Sequence, residues 1–464
     1  MQKAKFKNQK SKMALVALSG LILLISVVAA FAQNDGSQQN KTGRAGTFAI
    51  VGAKIVTVSG AVIENGTVVI QNGKIAAVGA GVAVPGGAER IDGKGLTVFP
   101  GMIDASTEIG LDEIALGVPG SMDVQEVGDY NPNSRAIKGV NPHSTHVNTT
   151  RTNGITTVLT HAEGGVISGQ AALINLNGST EDEMALVPTV GLYLNFPRVA
   201  GGGRGFGGGG RFGGPQIDFN QLVQRRDQQI DELKKYFKEV ENYARSRDAY
   251  AADKSLPFIA ENSKMEAMIP YIRGQKPILF VAERAIDIKS VVKFATDMKV
   301  KGVIVGGQEA WKAADDLKKA DMGVIYTNVY DVPVRDDDAY DSMFEAPSKM
   351  AAAGIKFCIA TGASGEDISV ARDLPFQAGM AGAFGLSKDD ALKSVTLYPA
   401  QILGVANRVG SIEVGKDANV VVTDGDILEP RTNIKYLFIN GRLLPLTNHH
   451  TELFDSFKDR KIAP

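Results

Sequence analysis

The chain has 464 residues, of which 50 are lysine or arginine and 51 are aspartate or glutamate. Hydrophobic residues make up 44% of it and charged residues 22%, which is typical of a globular protein and excludes intrinsic disorder for most of the chain. The single cysteine, Cys358, excludes an internal disulfide, a cysteine-based zinc site and an iron–sulfur cluster.

The first 32 residues have the pattern of a secretory signal peptide. Five lysines and no acid precede an apolar run from Met13 to Ala32, which ends in the small-x-small sequence Ala30-Phe31-Ala32. We expect export to the periplasm or the extracellular space, with no membrane attachment after cleavage. A retained N-terminal anchor is the alternative, because the run is long enough to span a bilayer. Cleavage leaves 45 basic (50 − 5) against 51 acidic residues, an excess of negative charge that disfavours nucleic acid as a partner.

Short alternating segments at both ends of the remaining chain predict one composite β domain. Asn65-Gly66, Asn72-Gly73 and Asn440-Gly441 are the predicted hairpin turns. Neither end has enough strands to bury a two-sheet core alone, so we expect the two to pair into a small β-sandwich. The boundaries that we expect are 33–46 for a flexible linker, 47–96 and 409–447 for the two parts of the β domain, and 448–464 for a C-terminal tail.

The region between these parts, residues 97–408, has the texture of a TIM-like barrel. Continuous apolar runs alternate with amphipathic helical stretches, which indicates a parallel sheet covered by helices, and at least seven such runs favour a (β/α)8 barrel. Phe219 to Ala244 predicts one long surface helix, and Ser387 to Asp390 a capping box. The runs are Leu96–Ile103, Ile155–Leu159, Val187–Leu194, Ile278–Ala282, Gly302–Val305, Gly323–Thr327 and Ile355–Ala360.

A glycine-rich segment, residues 200–215, interrupts the predicted barrel with ten of the 52 glycines of the chain. Such a run predicts a mobile surface loop, because the backbone entropy of glycine opposes a single conformation. A lid over the barrel mouth is the alternative, since βα loops collect at the active face of a barrel. Arginine and phenylalanine spaced by glycine also resemble RGG-type nucleic-acid segments, which the acidic, exported chain disfavours.

The segment Gly95-Leu96-Thr97-Val98-Phe99-Pro100-Gly101-Met102-Ile103-Asp104-Ala105 resembles the start of the first barrel strand in the metal-dependent amidohydrolase superfamily, in its imidazolonepropionase-like branch. The resemblance covers nearly the whole exported chain and implies the barrel and the composite β domain. It extends to Val51–Val58, Asn153–Val158, Val409–Ile412, Gly415–Val422 and Ile439–Gly441.

The same resemblance implies a metal site whose ligands this chain lacks. The family pattern continues as x-His-x-His, and residues i and i+2 of a strand point to the same side, so that both imidazoles reach one metal. Ser106 and Glu108 occupy these two positions. The later ligand positions, the last being the family's metal-binding and proton-accepting aspartate, are occupied by Val281, Gly306 and Gly362. We therefore expect no cofactor, and zinc only if the site has been rebuilt.

Glu108, His161 and Glu283 are the candidates for a rebuilt site, because each follows a predicted barrel strand. In the alternative interpretation, Glu283 pairs with Arg284 or a helix and Glu108 points away. His143 and His146 either share a helix face that binds a metal or only cap and hydrogen-bond a helix turn. The remaining histidines, His449 and His450, are expected to be solvated in the tail.

Three functions are consistent with these patterns. The first is a non-catalytic binding or partner subunit, associated with a catalytically complete relative or with copies of itself. The second is a hydrolase of C–N bonds in non-peptide or cyclic amides, acting through Glu108, His161 and Glu283, with the developing charge stabilised by a metal or Arg284. The third is an envelope protein that binds a small ligand beneath the glycine-rich segment.

Overall fold

The computed structural model describes residues 41–114, 121–199, 219–327, 329–333, 335 and 337–460. The predicted signal peptide, the linker up to residue 40 and the glycine-rich segment 200–215 lie outside these ranges. None of the described helices combines the length and the apolar composition that a membrane span requires.

The strands form two sheets. In chain order they are β1 (Phe48–Ile55), β2 (Ile63–Gln71), β3 (Lys74–Gly79), β4 (Glu89–Asp92), β5 (Thr97–Pro100), β6 (Met102–Thr107), β7 (Ile155–Thr160), β8 (Ile167–Asn175), β9 (Ala185–Asn195), β10 (Ile278–Ala282), β11 (Gly302–Gly306), β12 (Gly323–Thr327), β13 (Phe357–Ala360), β14 (Val420–Thr423), β15 (Ile434–Ile439) and β16 (Arg442–Leu444).

The α-helices lie mainly after the barrel strands. They are α1 (Thr145–Arg151), α2 (Glu181–Met184), α3 (Phe219–Ala252), α4 (Ser263–Ile272), α5 (Ala285–Met298), α6 (Ala314–Lys319), α7 (Ser342–Ala352), α8 (Leu374–Ala383), α9 (Lys388–Lys393), α10 (Leu397–Ile402) and α11 (His449–Phe457). Short 3-10 helices span Ala136–Lys138, Ala310–Ala313 and Gly365–Asp373.

Both ends of the described chain contribute to one sheet, as predicted. Its order is β16-β15-β14-β5-β1-β2-β3, with β4 paired to β1. Strand β5 joins the two ends, because it pairs parallel with β1 and antiparallel with β14. The sheet is continuous and curls around its own apolar face, which brings the rings of Phe48 and Phe438 within 5.1 Å although three steps separate their strands. Its other face, including Val421 and Leu437, packs into the main core of the barrel.

Two of the three predicted turns are correct. Asn72-Gly73 joins β2 to β3 and Asn440-Gly441 joins β15 to β16, with positive φ at all four residues as a type I′ turn requires. Asn65-Gly66 is instead part of β2. Asn65 has φ of 51°, and the register with β1 shifts there, so this pair forms a bulge inside a long strand rather than a turn.

The second sheet is the predicted barrel, with one departure. Among the described residues it has eight strands in the order β6 to β13, and every neighbouring pair is parallel except β7–β8 and β8–β9. Strand β8 was not predicted. It runs antiparallel because only six residues, 161–166, separate it from β7, which is too short for a crossover helix.

The barrel closes where β6 meets β13, through a short seam rather than a full ladder. Thr107 bridges Ala363, and the backbone N–H of Glu108 donates to the carbonyl of Ala363 at 2.9 Å. The side chain of Asp104 adds two further bonds, because it accepts from both the backbone N–H and the hydroxyl of Thr361. The seam therefore fixes the ends of β6 and β13 against each other.

Helix positions follow the sequence patterns with small shifts. The predicted surface helix from Phe219 extends to Ala252. Ser387 caps α9 by accepting the backbone N–H of Asp390 at 3.0 Å, although α9 ends at Lys393, earlier than expected. The expected tail contains α11. Residues 41–46 of the expected linker are held by hydrogen bonds, including the exchange of two bonds of 3.0 Å between Arg44 and Leu443.

A buried amide network connects the composite sheet to the barrel. The side-chain amide of Asn419 donates to Thr157 at 3.1 Å and to Asn175 at 2.8 Å, and its oxygen accepts the backbone N–H of Asn440 at 2.9 Å. Asn175 in turn donates to the side chain of Asn440 at 3.0 Å. Four groups from two sheets therefore satisfy one another away from water.

Candidate functional site

The candidate site lies where the parallel strands of the barrel end. Glu108 follows β6, His161 follows β7 and Glu283 follows β10, which places all three at the same rim. The backbone N–H of His161 donates to the carbonyl of Thr107 at 3.1 Å, so the ends of β6 and β7 are joined directly. Barrel proteins carry their chemistry at this rim.

His161 is buried in a chain of hydrogen bonds. Its Nε2 lies 3.1 Å from the hydroxyl of Ser106, and its Nδ1 lies 3.3 Å from the carbonyl of Ala162. Its ring stacks on Tyr193 with centroids 3.8 Å apart and planes 10° from parallel. Burial lowers the pKa of His161 well below its usual range. The imidazole is therefore neutral, and the geometry fits Nδ1–H donating to Ala162 while Nε2 accepts from Ser106.

Tyr193 extends this chain from β9. Its hydroxyl is hydrogen-bonded to Ser106, and burial is the main reason that its pKa is raised. Ser106 thus contacts both an imidazole and a phenol while being itself almost completely buried. These three side chains form a rigid polar wall at the rim.

Glu108 points inward and is fully buried. Its Oε2 accepts the backbone N–H of Gly365 at 3.0 Å, whereas its Oε1 has no hydrogen-bond donor among the described residues. The carboxyl of Glu163 lies in hydrogen-bonding contact with it, and burial followed by the charge of Glu163 raises the pKa of Glu108. Two carboxyl groups in contact can be hydrogen-bonded only when one of them carries a proton. Glu163 is exposed to solvent, so this pair connects the buried rim to the outside.

Asp112 lies one turn beyond Glu108 and is also fully buried, with its backbone N–H on the carbonyl of Glu108 at 3.2 Å. Neither of its carboxylate oxygens has a hydrogen-bond partner within the described ranges. Burial raises the pKa of Asp112, with the charge of Glu163 acting in the same direction and His146 opposing it. Glu163 is therefore close to both buried carboxyls.

Glu283 takes a different role from the other two candidates. Its carboxylate forms an ion pair of 3.2 Å with Arg198 rather than with Arg284, and the residue is partly exposed. It acts on Tyr193 only through its charge. Glu108 and His161 are thus brought together at the rim, whereas Glu283 belongs to an ion pair at its edge.

The other expected ligand positions are committed to small or apolar residues. Gly306 has φ of 99° and Gly362 has φ of 66°, in the region that disfavours side chains. A Cβ at position 362 would approach the Cβ of Thr327 to 3.0 Å. Val281 completes β10 among the apolar side chains of the barrel.

The remaining histidines do not form a metal site. His146 is in α1, and its ring bonds to the carbonyl of Glu113 at 3.1 Å, whereas His143 precedes the N-cap and cannot share a helix face with it. His449 and His450 are exposed at the start of α11.

The donors at the rim do not fit the binuclear metal centre that the family resemblance implies. Zinc takes three or four ligands, preferably imidazole nitrogen, thiolate or carboxylate, that converge on one point. Within the described ranges, no group of three His, Cys, Asp or Glu side chains is placed to hold a metal ion. The Nε2 of His161 is directed at Ser106 instead. We therefore derive no chemical step that involves a metal.

Four of the residues at this rim were missed in the sequence. Glu163 follows His161 at i+2 just beyond β7, a spacing that marks the same side of an extended chain and that could have revealed it. The other three are Asp104, Asp112 and Tyr193. Asp104 is fully buried at the barrel seam, where burial raises its pKa to about 7.

A barrel with one antiparallel strand, a composite sheet from both chain ends and a polar rim define the class of protein. Residues 312–444 match the sequence profile of the amidohydrolase family. The chain therefore carries an amidohydrolase family domain. Its assignment to the imidazolonepropionase-like branch stays a prediction.

Known proteins support this family and fold. A 62-residue segment is 36% identical to N-acetylglucosamine-6-phosphate deacetylase from Bos taurus, a match that covers 13% of this chain and 14% of that protein. The structure is similar to an amidohydrolase from Thermotoga maritima MSB8, with a TM-score of 0.72, 23% identity, and coverage of 86% of this chain and 99% of the other. A Xaa-Pro dipeptidase with bound methionine gives a TM-score of 0.52 at 14% identity, covering 86% and 100%. These structural likenesses show the shared fold.

Proposed function

We propose that this chain is a hydrolase of C–N bonds in amides or cyclic amides whose proton transfers are carried by Glu108 and Glu163 rather than by a metal centre. The observation that supports it is the buried Glu108 carboxyl in contact with the Glu163 carboxyl at the barrel rim. The related proteins are hydrolases by name, which favours the same reaction class here.

A carboxyl pair can supply both proton transfers of amide hydrolysis. Two carboxyls in contact share one proton, because both cannot ionise together in a buried site. The ionised member accepts a proton from water as the water oxygen bonds to the amide carbon. The protonated member donates its proton to the nitrogen as the C–N bond breaks. The pair ends with one proton, as it began, and the products are an acid and an amine.

The polar wall of Ser106, His161 and Tyr193 acts beside this pair as a support. Each member already has a hydrogen-bond partner, so the wall holds its shape without a ligand. A neutral imidazole next to the carboxyl pair also leaves the shared proton on the pair.

The test uses the purified chain without its first 32 residues and a panel of N-acyl amines, amides and cyclic amides, assayed before and after treatment with a chelator. We expect hydrolysis that survives the chelator and falls at least about 100-fold in Glu108→Gln, since general acid–base catalysis contributes about 10²- to 10⁴-fold. Glu239→Gln, an exposed change on α3, is the matched control and should retain full activity. Activity that the chelator abolishes, or that Glu108→Gln retains, would contradict the proposal.

A non-catalytic subunit is the second candidate, favoured by the left-handed backbone at Gly306 and Gly362. Such a chain would bind a family member that retains the His-x-His pattern. Copurification of that relative with the tagged chain from its natural host, together with absence of turnover across the panel, would favour this candidate. Recovery of the chain alone would count against it.

We also propose that the chain is exported, on the sequence pattern of its first 32 residues. N-terminal sequencing of the protein from a periplasmic or culture fraction should begin at Gln33. Retention of Met1 in a membrane fraction would instead indicate an anchor.

A further inference from the structure

We propose that the barrel rim binds an organic cation, an ammonium or guanidinium group carried by its ligand, through the carboxyls of Asp112, Glu108 and Glu163. This names a chemical class for the ligand of the site above. Its role in substrate choice rests on the proposed hydrolase function, but the binding itself does not require turnover.

The first support is a set of buried carboxylate oxygens without donors. Both oxygens of Asp112 and Oε1 of Glu108 are inaccessible to solvent and have no hydrogen-bond partner among the residues that the structure describes. Buried polar atoms are almost always paired in folded proteins, because an unpaired one costs about 1–3 kcal/mol and a charged one more. Three such oxygens in neighbouring side chains indicate that a donor binds there.

The second support is the charge of the surrounding chain. Residues 95–134, which form β6 and the segment after it, contain no lysine or arginine. Their seven acidic residues are Asp104, Glu108, Asp112, Glu113, Asp123, Glu126 and Asp129. His146 faces Asp112 from α1, but its ring is engaged with the carbonyl of Glu113. The protein itself therefore supplies little positive charge at this point of the rim.

The spacing of the donors favours an organic cation over a metal ion. A calcium ion needs six to eight oxygens at about 2.3–2.6 Å from one centre. Within the described part of the chain the acidic side chains do not converge in that way. A guanidinium group presents five N–H donors in a planar fork and can reach carboxylates that lie apart. Glu163, exposed at the rim, provides the side from which such a group enters.

Two matched ligands test this inference by isothermal titration calorimetry on the chain without its first 32 residues. Nα-acetyl-L-argininamide carries a guanidinium, and Nα-acetyl-L-citrullinamide replaces it with a neutral urea of nearly the same shape. We expect the argininamide to bind at least about tenfold more tightly, because a hydrogen bond to a charged group contributes about 1.5–3 kcal/mol. Raised salt should reduce the difference.

The variant Asp112→Asn separates ligand binding from a structural role. It should abolish most of the preference for argininamide while leaving the melting temperature equal or higher, because it removes a buried charge that lacks a partner. Glu239→Gln is the control and should keep the preference. A second arm titrates calcium and magnesium alone, which should not bind stoichiometrically or displace the argininamide.

Several results would overturn the inference. These are equal binding of the two ligands, no binding of argininamide at millimolar concentration, an unchanged preference in Asp112→Asn, or stoichiometric binding of a divalent metal that excludes argininamide. A retained preference without hydrolysis of any amide would overturn the proposed function alone.

Discussion

Gly362 illustrates how a single residue constrains the chemistry of the rim. It follows β13 at the position where the resemblance implies a metal-binding aspartate, and its φ is 66°. An aspartate there would adopt a left-handed backbone, and its Cβ would press against Thr327 at 3.0 Å. The backbone of this chain is therefore adapted to glycine, and a metal ligand cannot be restored by one substitution.

We predict that Gly362→Asp lowers the free energy of unfolding by about 1–2 kcal/mol, the usual strain of a non-glycine residue in this conformation. Urea denaturation followed by circular dichroism measures the change. Gly86→Asp is the control, because Gly86 is exposed and its added Cβ would contact nothing. A Gly362→Asp variant as stable as the parent that also binds stoichiometric zinc would show that the position is poised for a ligand.

The residues of the site could be predicted only in part from the sequence. Ser106, Glu108 and His161 were found because a strand pattern and a family motif fix their spacing. Asp112 was not found, because its approach to Glu108 depends on a tight turn after β6 that no local signal marks. Tyr193 was missed for a similar reason. Its contact with His161 arises from barrel packing between strands that are distant in sequence.

At the scale of elements, sequence patterns located the strands that are continuous apolar runs and missed the one with a mixed pattern. The run Leu96–Ile103 proved to be parts of two strands, β5 and β6, which belong to different sheets. Gly101 lies between them, and a side chain there would meet Thr156. Strand β8 was overlooked because no helix follows or precedes it closely, so the alternation of strands and helices that revealed the others is absent.

The seam between β6 and β13 makes barrel stability depend on pH through Asp104. Its pKa rises from 3.8 in the unfolded chain to about 7 because it is buried. A carboxyl with a raised pKa binds its proton more tightly in the folded state. Its contribution is therefore complete below about pH 4 and is lost as the pH rises to about 7.

We predict that Asp104→Asn flattens the fall in unfolding free energy between about pH 4 and 7, by several kcal/mol at most, since each pKa unit corresponds to about 1.4 kcal/mol. Urea denaturation at a series of pH values measures the slope, and the slope is unaffected by a uniform loss of hydrogen bonds to Thr361. Asp182→Asn, an exposed change, should give a curve parallel to that of the parent. Parallel curves for Asp104→Asn as well would exclude this role for the seam.

At the scale of the whole molecule, the amide network around Asn419 couples the composite sheet to the barrel. The network is buried, and each of its side chains satisfies another, so that removing one member leaves several polar atoms unpaired. The composite sheet could be predicted from the strand patterns of the two chain ends. This coupling could not, because it joins residues 157, 175, 419 and 440, which no local pattern relates.

We predict that Asn419→Ala lowers the free energy of unfolding by about 2–4 kcal/mol, because Asn175 and the backbone of Asn440 lose their partners in a buried site. Urea denaturation can be followed at the single tryptophan, Trp311, which reports on the barrel, and by circular dichroism, which reports on both sheets. The two midpoints should coincide in the parent and separate in the variant, since the sheet then loosens before the barrel unfolds. Asn433→Ala, which removes an exposed amide contact with Asp424, should cost less than about 1 kcal/mol and keep the midpoints together. Coincident midpoints and a similarly small loss in Asn419→Ala would mean that apolar packing alone joins the two sheets.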